Sequence, residues 1–155
     1  MAAASNRNPY DAYNFLVEIT GVVQGATGMF TECILPVASI DVIEYREGAD
    51  STNNVHKLPG LVRYGNLVLK RGLADSMALW NWFTLFVNGT GTPTPISVTL
   101  FDRAKTPVIK WKFNNAWPVK YESPPLNAKT SHLAIETLEI AVDSVGISGG
   151  GSQET

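Results

Sequence analysis

The sequence is poor in the side chains that most often build reactive sites. Its 155 residues include one cysteine, Cys33, and two histidines, His56 and His132. A single thiol excludes an intrachain disulfide and a cysteine-cluster metal site, and a lone cysteine is more often a small buried hydrophobe than a nucleophile. The histidines stand alone, one in a predicted loop and one at a predicted strand edge, which is not a zinc-ligand pattern. The sequence therefore predicts no metal site and no cofactor.

Catalytic nucleophiles and carboxylate pairs are not indicated either. No GxSxG motif is present, which an activated serine on a strained strand-to-helix turn would need. Glu44, Glu47, Glu136 and Glu139 could supply a carboxylate pair, but charged residues at alternate strand positions usually belong to a solvent-exposed face. We therefore predict that the protein is not an enzyme and has no catalytic residue.

Charge and hydrophobic pattern disfavour two further classes of protein. The chain has 12 basic and 14 acidic residues, a formal net charge of -2, and lacks the positive excess of a surface that binds phosphate backbones tightly. No apolar run approaches the roughly 18 residues of a membrane span, and the N-terminus has no apolar core of secretory-signal length. We expect cytoplasmic synthesis and no membrane anchor.

One segment, residues 73–89, is typical of a helix. Asp75 or Ser76 can accept amide hydrogens of the first turn, and Gly89 suits a left-handed position after the last turn. Apolar side chains cover roughly 220° of this helix, whereas a stripe of about 100° suffices for one core. The large ones are Leu79, Trp80, Trp82, Phe83, Leu85, Phe86 and Val87. A second apolar partner is expected, and another copy of the chain is the simplest one.

The remaining pattern is that of β-structure. Strands are predicted at residues 13–20, 30–34, 39–47, 61–72, 96–100, 108–115 and 132–142. Apolar and polar residues alternate with a period of two most clearly at residues 13–20, 96–100 and 108–115. Trp117 and Pro118 are predicted to end the sixth strand, and a phase change near Thr137 predicts a bulge in the last one. The predicted fold class is all-β with one flanking helix, in two packed antiparallel sheets that form a sandwich or a partly closed barrel.

One domain is predicted between two flexible ends. Residues 1–12 are small and polar and predict a mobile arm, residues 13–145 form the folded domain, and residues 146–155 have the composition of a flexible tail. Within the domain, residues 49–60 read ADSTNNVHKLPG, a polar loop that we expect to project from the sheet as the return of an extended hairpin.

Several ordered sequence blocks resemble a known family. They are FTECILPVASIDVIEYREG at residues 30–48, KLPGLVRYGNLVLKRG at 57–72, the Leu79-Trp80 pair, WKF at 111–113, NAWP at 115–118 and AIETLE at 134–139. Together they resemble the tail tube protein of contractile phage tails and the inner tube protein of related contractile injection systems. The resemblance extends from about residue 13 to residue 142.

The resemblance implies a structural subunit of a rigid inner tube. Subunits would form hexameric rings that stack around a central channel, and strands from all subunits would close one barrel around the lumen. It also implies a surrounding sheath protein, baseplate or spike proteins, and tube-terminating proteins as partners. Cargo or DNA would pass without tight binding. Such a subunit would be assembled in the bacterial cytoplasm and become part of a virion or a phage-tail-like particle.

Three sets of site residues follow when the resemblance is combined with the pattern. The projecting loop is predicted to reach the next ring through Glu47, Gly48, Asp50, Asn53, His56, Lys57 and Leu58. The helix is predicted to contact the neighbour within a ring through Trp80, Trp82, Phe83 and Phe86. The lumen is predicted to be faced by Tyr64, Asn66 and Lys70.

Other functions remain open on the residues alone. A type VI secretion-like tube subunit shares the implied architecture. A monomeric β-sandwich binding module would instead show an exposed aromatic platform and no self-assembly. A β-fold hydrolase is least supported, because no nucleophile or metal constellation is present.

Overall fold

The computed structural model describes residues 9–20, 30–73 and 77–149. Within them the chain forms nine β-strands and one α-helix, so the predicted all-β fold with one helix is confirmed. The elements are β1 (Phe15–Ile19), β2 (Glu32–Ile34), β3 (Ala38–Tyr45), β4 (His56–Tyr64), β5 (Leu67–Gly72), α1 (Ala78–Val87), β6 (Thr94–Phe101), β7 (Pro107–Glu122), β8 (Ile135–Ala141) and β9 (Ser144–Gly149).

The long strand β7 belongs to two antiparallel layers. Its first half pairs with β6 on one side and with β9 on the other, and β1 continues that layer beside β6. Its second half pairs with β8, which is followed by β5 and β2. The change of partners occurs around Asn115, whose φ of 51° is in the left-handed region. A kink at this residue lets one strand serve both layers.

The core lies between these layers and the helix. β1 and β6 contribute branched aliphatic residues, β5 and β8 contribute leucine and isoleucine, and α1 contributes two residues. The buried apolar side chains are Val17, Ile19, Leu67, Leu69, Leu79, Trp82, Ile96, Val98, Phe113, Ala116, Leu138, Ile140 and Val142. Most follow the period-two alternation of their strands, which is why the sequence predicts them.

The helix ends as predicted and begins later than predicted. Gly89 has φ 77°, and its N–H donates to the carbonyl of Phe86 at 3.2 Å, so the left-handed position after the helix is confirmed. The helix starts at Ala78. The predicted capping residues Asp75 and Ser76 lie outside the described residues.

A two-stranded ribbon extends from the sheet. β2 pairs with β5 inside the larger sheet, and β3 pairs with β4 in the same register beyond it. The N–H of Gly65 donates to the carbonyl of Val37 at 2.8 Å, which bridges the interruption. Residues 61–72 are therefore split between two strands of one ribbon, whereas the sequence predicted a single strand.

The connection at the end of the ribbon is shorter at its C-terminal side than predicted. β4 begins at His56, so the irregular connection covers residues 46–55, and the prediction of a loop through residue 60 is wrong. β4 then carries a bulge where it passes Asp41. A Cβ at Gly60 would lie 2.9 Å from the carbonyl oxygen of Asp41, which explains why the strand needs glycine there.

Two predictions about the C-terminal strands are also wrong. β7 continues through Pro118, which pairs with Ile140, and the irregularity lies between Pro118 and Lys120. β8 pairs with β5 without a register shift, so the predicted bulge near Thr137 is absent. The apparent phase change arises because Glu136 occupies an inward position in place of a hydrophobic residue.

The predicted C-terminal tail begins too early. β9 includes residues 146–149 and pairs with β7 from Asn114 to Ile109, so these residues belong to the sheet. Residues 150–155 lie outside the described residues, as do residues 1–8 of the predicted arm. In the described part of that arm, Asp11 accepts a hydrogen bond from Nε of Arg103 at 2.7 Å.

We predict that Gly91→Ala destabilises the protomer. A Cβ at this position would lie 2.6 Å from the ring of Phe86, which is stacked on Trp117 and cannot move without losing that contact. The expected loss is about 1–3 kcal/mol in urea unfolding of dilute, monomeric protein. Gly72→Ala is the matched control, because a Cβ there meets nothing within 4 Å. Equal stability of the two variants would contradict the packing described here.

Candidate assembly surfaces

The outer part of the ribbon is an unusually apolar surface. β3 and β4 form a two-stranded sheet to which the described part of the chain adds no third strand. Its exposed large hydrophobic residues are Ile40, Val42, Ile43, Tyr45, Leu58, Leu61 and Val62. A two-stranded hairpin alone in water is marginally stable, and a patch of this kind marks an interaction surface.

Both faces of this hairpin carry apolar side chains. Ile40 lies opposite Val62, and Ile43 lies opposite Leu58. Ile40 and Ile43 are separated by three positions in the strand and therefore point to opposite faces. All four side chains are about half exposed. Covering one face would leave the other in water, so two contacts are needed to bury the hairpin.

The predicted inter-ring residues gather at the far end of the hairpin. Glu47, Gly48, Asp50 and Asn53 lie in the connection, and His56, Lys57 and Leu58 begin β4. The hydroxyl of Tyr45 donates to Glu47 at 3.1 Å, and His56 Nε2 lies 3.2 Å from Asp50. These contacts link the polar connection to the ends of β3 and β4.

A second surface runs along α1 and the C-terminal half of β7. Trp80 packs edge-on against Tyr121 with ring centroids 5.1 Å apart, and Phe83 lies 6.4 Å from the same ring. Phe86 is stacked on Trp117 at 6.1 Å. These five rings, termed the aromatic row, end at the surface in Trp80 and Trp117, which are 42% and 40% exposed. Trp117 and Tyr121 are not among the predicted interface residues, because the sequence pattern predicts that the strand ends before they can join the surface.

Trp82 is not part of this surface. Its side chain is 1% exposed and belongs to the hydrophobic core. The protomer itself covers this residue, so Trp82 has no area to offer a neighbouring copy and does not fit the predicted interface role. The helical pattern could not distinguish Trp80 from Trp82, because both lie on the wide apolar surface of the helix.

A buried ion pair lies beneath the aromatic row. Arg71 on β5 donates through Nε to Glu136 on β8, and the two residues are direct partners in the strand pairing. The hydroxyl of Tyr121 donates to the other oxygen of Glu136 at 2.5 Å. Burial, and secondarily this hydrogen bond, raises the pKa of Tyr121 to about 12. The interpretation of Glu136 as a solvent-exposed glutamate is therefore wrong.

Two of the three predicted lumen residues each contact an acidic side chain. Nδ2 of Asn66 donates to Glu139 at 2.7 Å, and Nζ of Lys70 lies 3.4 Å from Glu32. Val68 and Lys70 point away from the core residues Leu67 and Leu69. Tyr64, by contrast, is half-buried and packs against the core.

The described residues contain no candidate metal-binding cluster, and the cysteine among them has an unreactive thiol. No group of three or more histidine, cysteine or acidic residues among them could hold a metal ion. Cys33 borders a mainly apolar cleft of about 240 Å³, and burial raises the pKa of its thiol to about 12. A thiol of this kind stays protonated at neutral pH and is a poor nucleophile. No helix in the described ranges has the length and apolar character to span a bilayer.

Comparison with known proteins shows the family. Residues 11–146 match the family model described as T4-like virus tail tube protein gp19, and the chain belongs to this family. It is a structural subunit of a tail tube, as the sequence resemblance implied. No curated protein matches the chain significantly.

Solved structures share the fold. A chain of the anti-feeding prophage (AFP) baseplate superposes with a TM-score of 0.81 at 23% identity, covering 94% of this chain and 99% of that one. A chain of the PVC sheath-tube complex, an extracellular contractile injection system, superposes with a TM-score of 0.80 at 24% identity, covering 92% of this chain and 93% of that one. Hcp1 from Flavobacterium johnsoniae superposes with a TM-score of 0.54 at 16% identity, covering 89% of this chain and 97% of Hcp1.

We predict that Trp82→Ala and Trp80→Ala affect different properties. Removing the fully buried Trp82 leaves a large cavity and should lower the free energy of unfolding by about 3–5 kcal/mol. Removing Trp80, which is 42% exposed, leaves no enclosed cavity, so the loss should be smaller, about 1–3 kcal/mol. Urea unfolding of dilute protein measures both. A larger loss for Trp80→Ala would contradict the assignment of Trp82 to the core.

We also predict an alkaline loss of stability that depends on Tyr121. Its pKa is raised from 10.0 to about 12 in the folded protein, so the folded state favours the protonated phenol. The corresponding stability is fully present below pH 10 and is lost as the pH rises to about 12. Tyr121→Phe has no phenol to ionise and should lose less stability across that interval. Parallel urea titrations at pH 9, 10 and 11 test this, and equal slopes for the two proteins would refute it.

Proposed function

We propose that copies of this chain form hexameric rings that stack into a hollow tube. The observation that carries the proposal is the β3–β4 hairpin, which is apolar on both faces and is left uncovered by the described protomer. Because the chain belongs to the tail tube family, we expect further copies of the same chain to bury the apolar faces of this hairpin. The AFP baseplate structure that shares the fold is described as 6-fold symmetrised, which supports six subunits in a ring.

The open edges of the sheets support the same arrangement. In the described part of the chain, β1, β2 and β9 each pair with a strand on one side only. Unpaired edges invite uncontrolled association, and a barrel closed across subunits removes them. We expect the hairpin and its neighbours in the sheet to contribute to such a shared barrel around the channel.

The hairpin is long enough to reach another subunit. A strand of eight residues such as β3 spans about 26 Å, roughly the width of a small domain. Its polar tip, from Glu47 to Leu58, would then contact the next ring, while the apolar strands behind it lie against neighbours. Two different contacts would satisfy the two apolar faces.

Within a ring, we assign the contact to the exposed end of the aromatic row. Trp80 is half exposed and is held by Tyr121 and Phe83, and Trp117 is exposed beside Phe86. Exposed tryptophan on a rigid aromatic support is typical of the centre of a protein–protein contact. Trp82 is excluded from this role by its burial.

The channel wall is proposed to include Asn66 and Lys70. Lys70 is paired with Glu32, and Glu139 accepts a hydrogen bond from the neutral amide of Asn66 and keeps its negative charge, so these residues present no unpaired positive charge. A wall of this kind retains neither DNA nor protein strongly, which suits a channel for cargo or DNA in transit. Tyr64 is withdrawn from this set because it packs against the core.

The proposal includes the partners of a contractile particle. The structures that share the fold come from a baseplate, a sheath-tube complex and a tube-terminating cap, which supports a sheath protein, baseplate or spike proteins and a terminator as partners. We propose assembly in the bacterial cytoplasm, incorporation into a virion or phage-tail-like particle, and no enzymatic role. A type VI secretion-like tube is less supported, because Hcp1 superposes less well.

Leu58→Asp tests the hairpin directly. Leu58 is half exposed on β4, opposite Ile43, so a carboxylate there should leave protomer folding intact and prevent burial of that face by another copy. We expect tubes of the wild-type protein and their loss in the variant, seen by negative-stain electron microscopy. Leu126→Asp, at a more exposed leucine between β7 and β8, is the matched control and should still form tubes. Normal tubes of Leu58→Asp would contradict the proposal, and a strictly monomeric wild type would favour a binding module.

A further inference from the structure

One buried carboxylate joins three neighbouring strands beneath the aromatic row. Glu136 on β8 is 2% exposed and accepts hydrogen bonds from Arg71 on β5 and from the Tyr121 hydroxyl on β7. Arg71 is itself 3% exposed. The carboxylate therefore engages both strands that flank β8.

Stability alone is a weak reason for such a cluster. Removing two charges from water is costly, and well-packed apolar residues of similar volume often stabilise a core equally well or better. What charged and hydrogen-bonded groups add is direction, because a carboxylate oxygen defines where its donor must lie. The hydroxyl of Tyr121 is the donor whose position matters for the surface.

The ring of Tyr121 is the support of Trp80. The two centroids are 5.1 Å apart with an interplanar angle of 63°, and Phe83 approaches both rings. Trp80 lies above this support with 42% of its surface exposed. Fixing the far end of the tyrosine therefore restricts the side chain against which the exposed indole packs.

We propose that Glu136 is a positioning residue for self-assembly: by holding the Tyr121 hydroxyl, it fixes the ring that supports Trp80 and presents the indole to the neighbouring copy in one orientation. This inference rests on the proposed function, because it takes the aromatic row as a contact between copies. It adds that a buried group with no access to the interface sets the geometry of that contact.

Tyr121→Phe and Glu136→Gln separate positioning from stability. The first keeps the ring and removes the hydroxyl, so Trp80 loses its fixed support while the pair of Arg71 and Glu136 persists. The second removes the charge opposite Arg71 and should destabilise the protomer. A glutamine side chain can still accept from, or donate to, a tyrosine hydroxyl, so it keeps Tyr121 in place.

The measurements are ¹⁹F NMR of protein labelled with 5-fluorotryptophan and the concentration at which rings form by light scattering. Trp80→Phe assigns the Trp80 resonance among the four tryptophans. In Tyr121→Phe we expect a shifted or broadened Trp80 resonance and an unchanged Trp82 resonance. We also expect a rise of roughly fivefold in the assembly concentration, which corresponds to the free energy of one lost hydrogen bond.

Glu136→Gln should keep the wild-type Trp80 resonance and assembly concentration despite lower stability. Tyr64→Phe, which removes a hydroxyl from a half-buried tyrosine on β4, should resemble the wild type.

Each contrary result has a distinct meaning. If Tyr121→Phe keeps the wild-type Trp80 resonance and assembly concentration, the positioning role is refuted and the tube remains. The positioning role is also refuted if the change in assembly concentration of each variant is proportional to its change in the free energy of unfolding. If Trp80→Ala assembles at the wild-type concentration, the aromatic contact in the proposed function fails, and the positioning role fails with it.

Discussion

The structure depends on one constraint, the register of the ribbon, which is the same from β2 and β5 as far as the pair of Ile40 and Val62 in the hairpin. β2 and β5 are fixed inside the protomer because β5 pairs with β8 and buries Leu67 and Leu69. The same pairing continues into β3 and β4, where no core remains to cover the side chains. One half of the ribbon thus anchors the fold, and the other half carries apolar surface into the solvent.

This division leaves two surfaces of the protomer with exposed apolar side chains. The sandwich, with Trp82 and Leu79 of the helix in its core, provides a rigid body. The hairpin and the aromatic row lie on that body as two separate surfaces that each lack a cover. The proposed tube would need such an arrangement, because each subunit would contact neighbours around a ring and along the axis at the same time.

The sequence predicts the features that depend on local signals, and it does not predict those that depend on partners distant in the chain. The helix end at Gly89 and the alternating strands around Val17, Val98 and Leu69 follow from single-residue preferences and period-two patterns. The burial of Glu136 could not be predicted, because it depends on Arg71, 65 residues away, and on a tyrosine in a strand thought to have ended. Likewise, only the packing of the folded chain shows that Trp80 is exposed and Trp82 is buried. Only the pairing with β7 shows that residues 146–149 form a strand.

The most direct test of the central claim is negative-stain electron microscopy of the purified protein over a range of concentrations, with light scattering on the same samples. The uncovered hairpin and the tail tube family together predict rings with six-fold symmetry that stack into hollow tubes as the concentration rises. Addition of baseplate extract should nucleate tubes at lower concentrations. Particles that stay monomeric at every concentration, with and without the extract, would contradict the account.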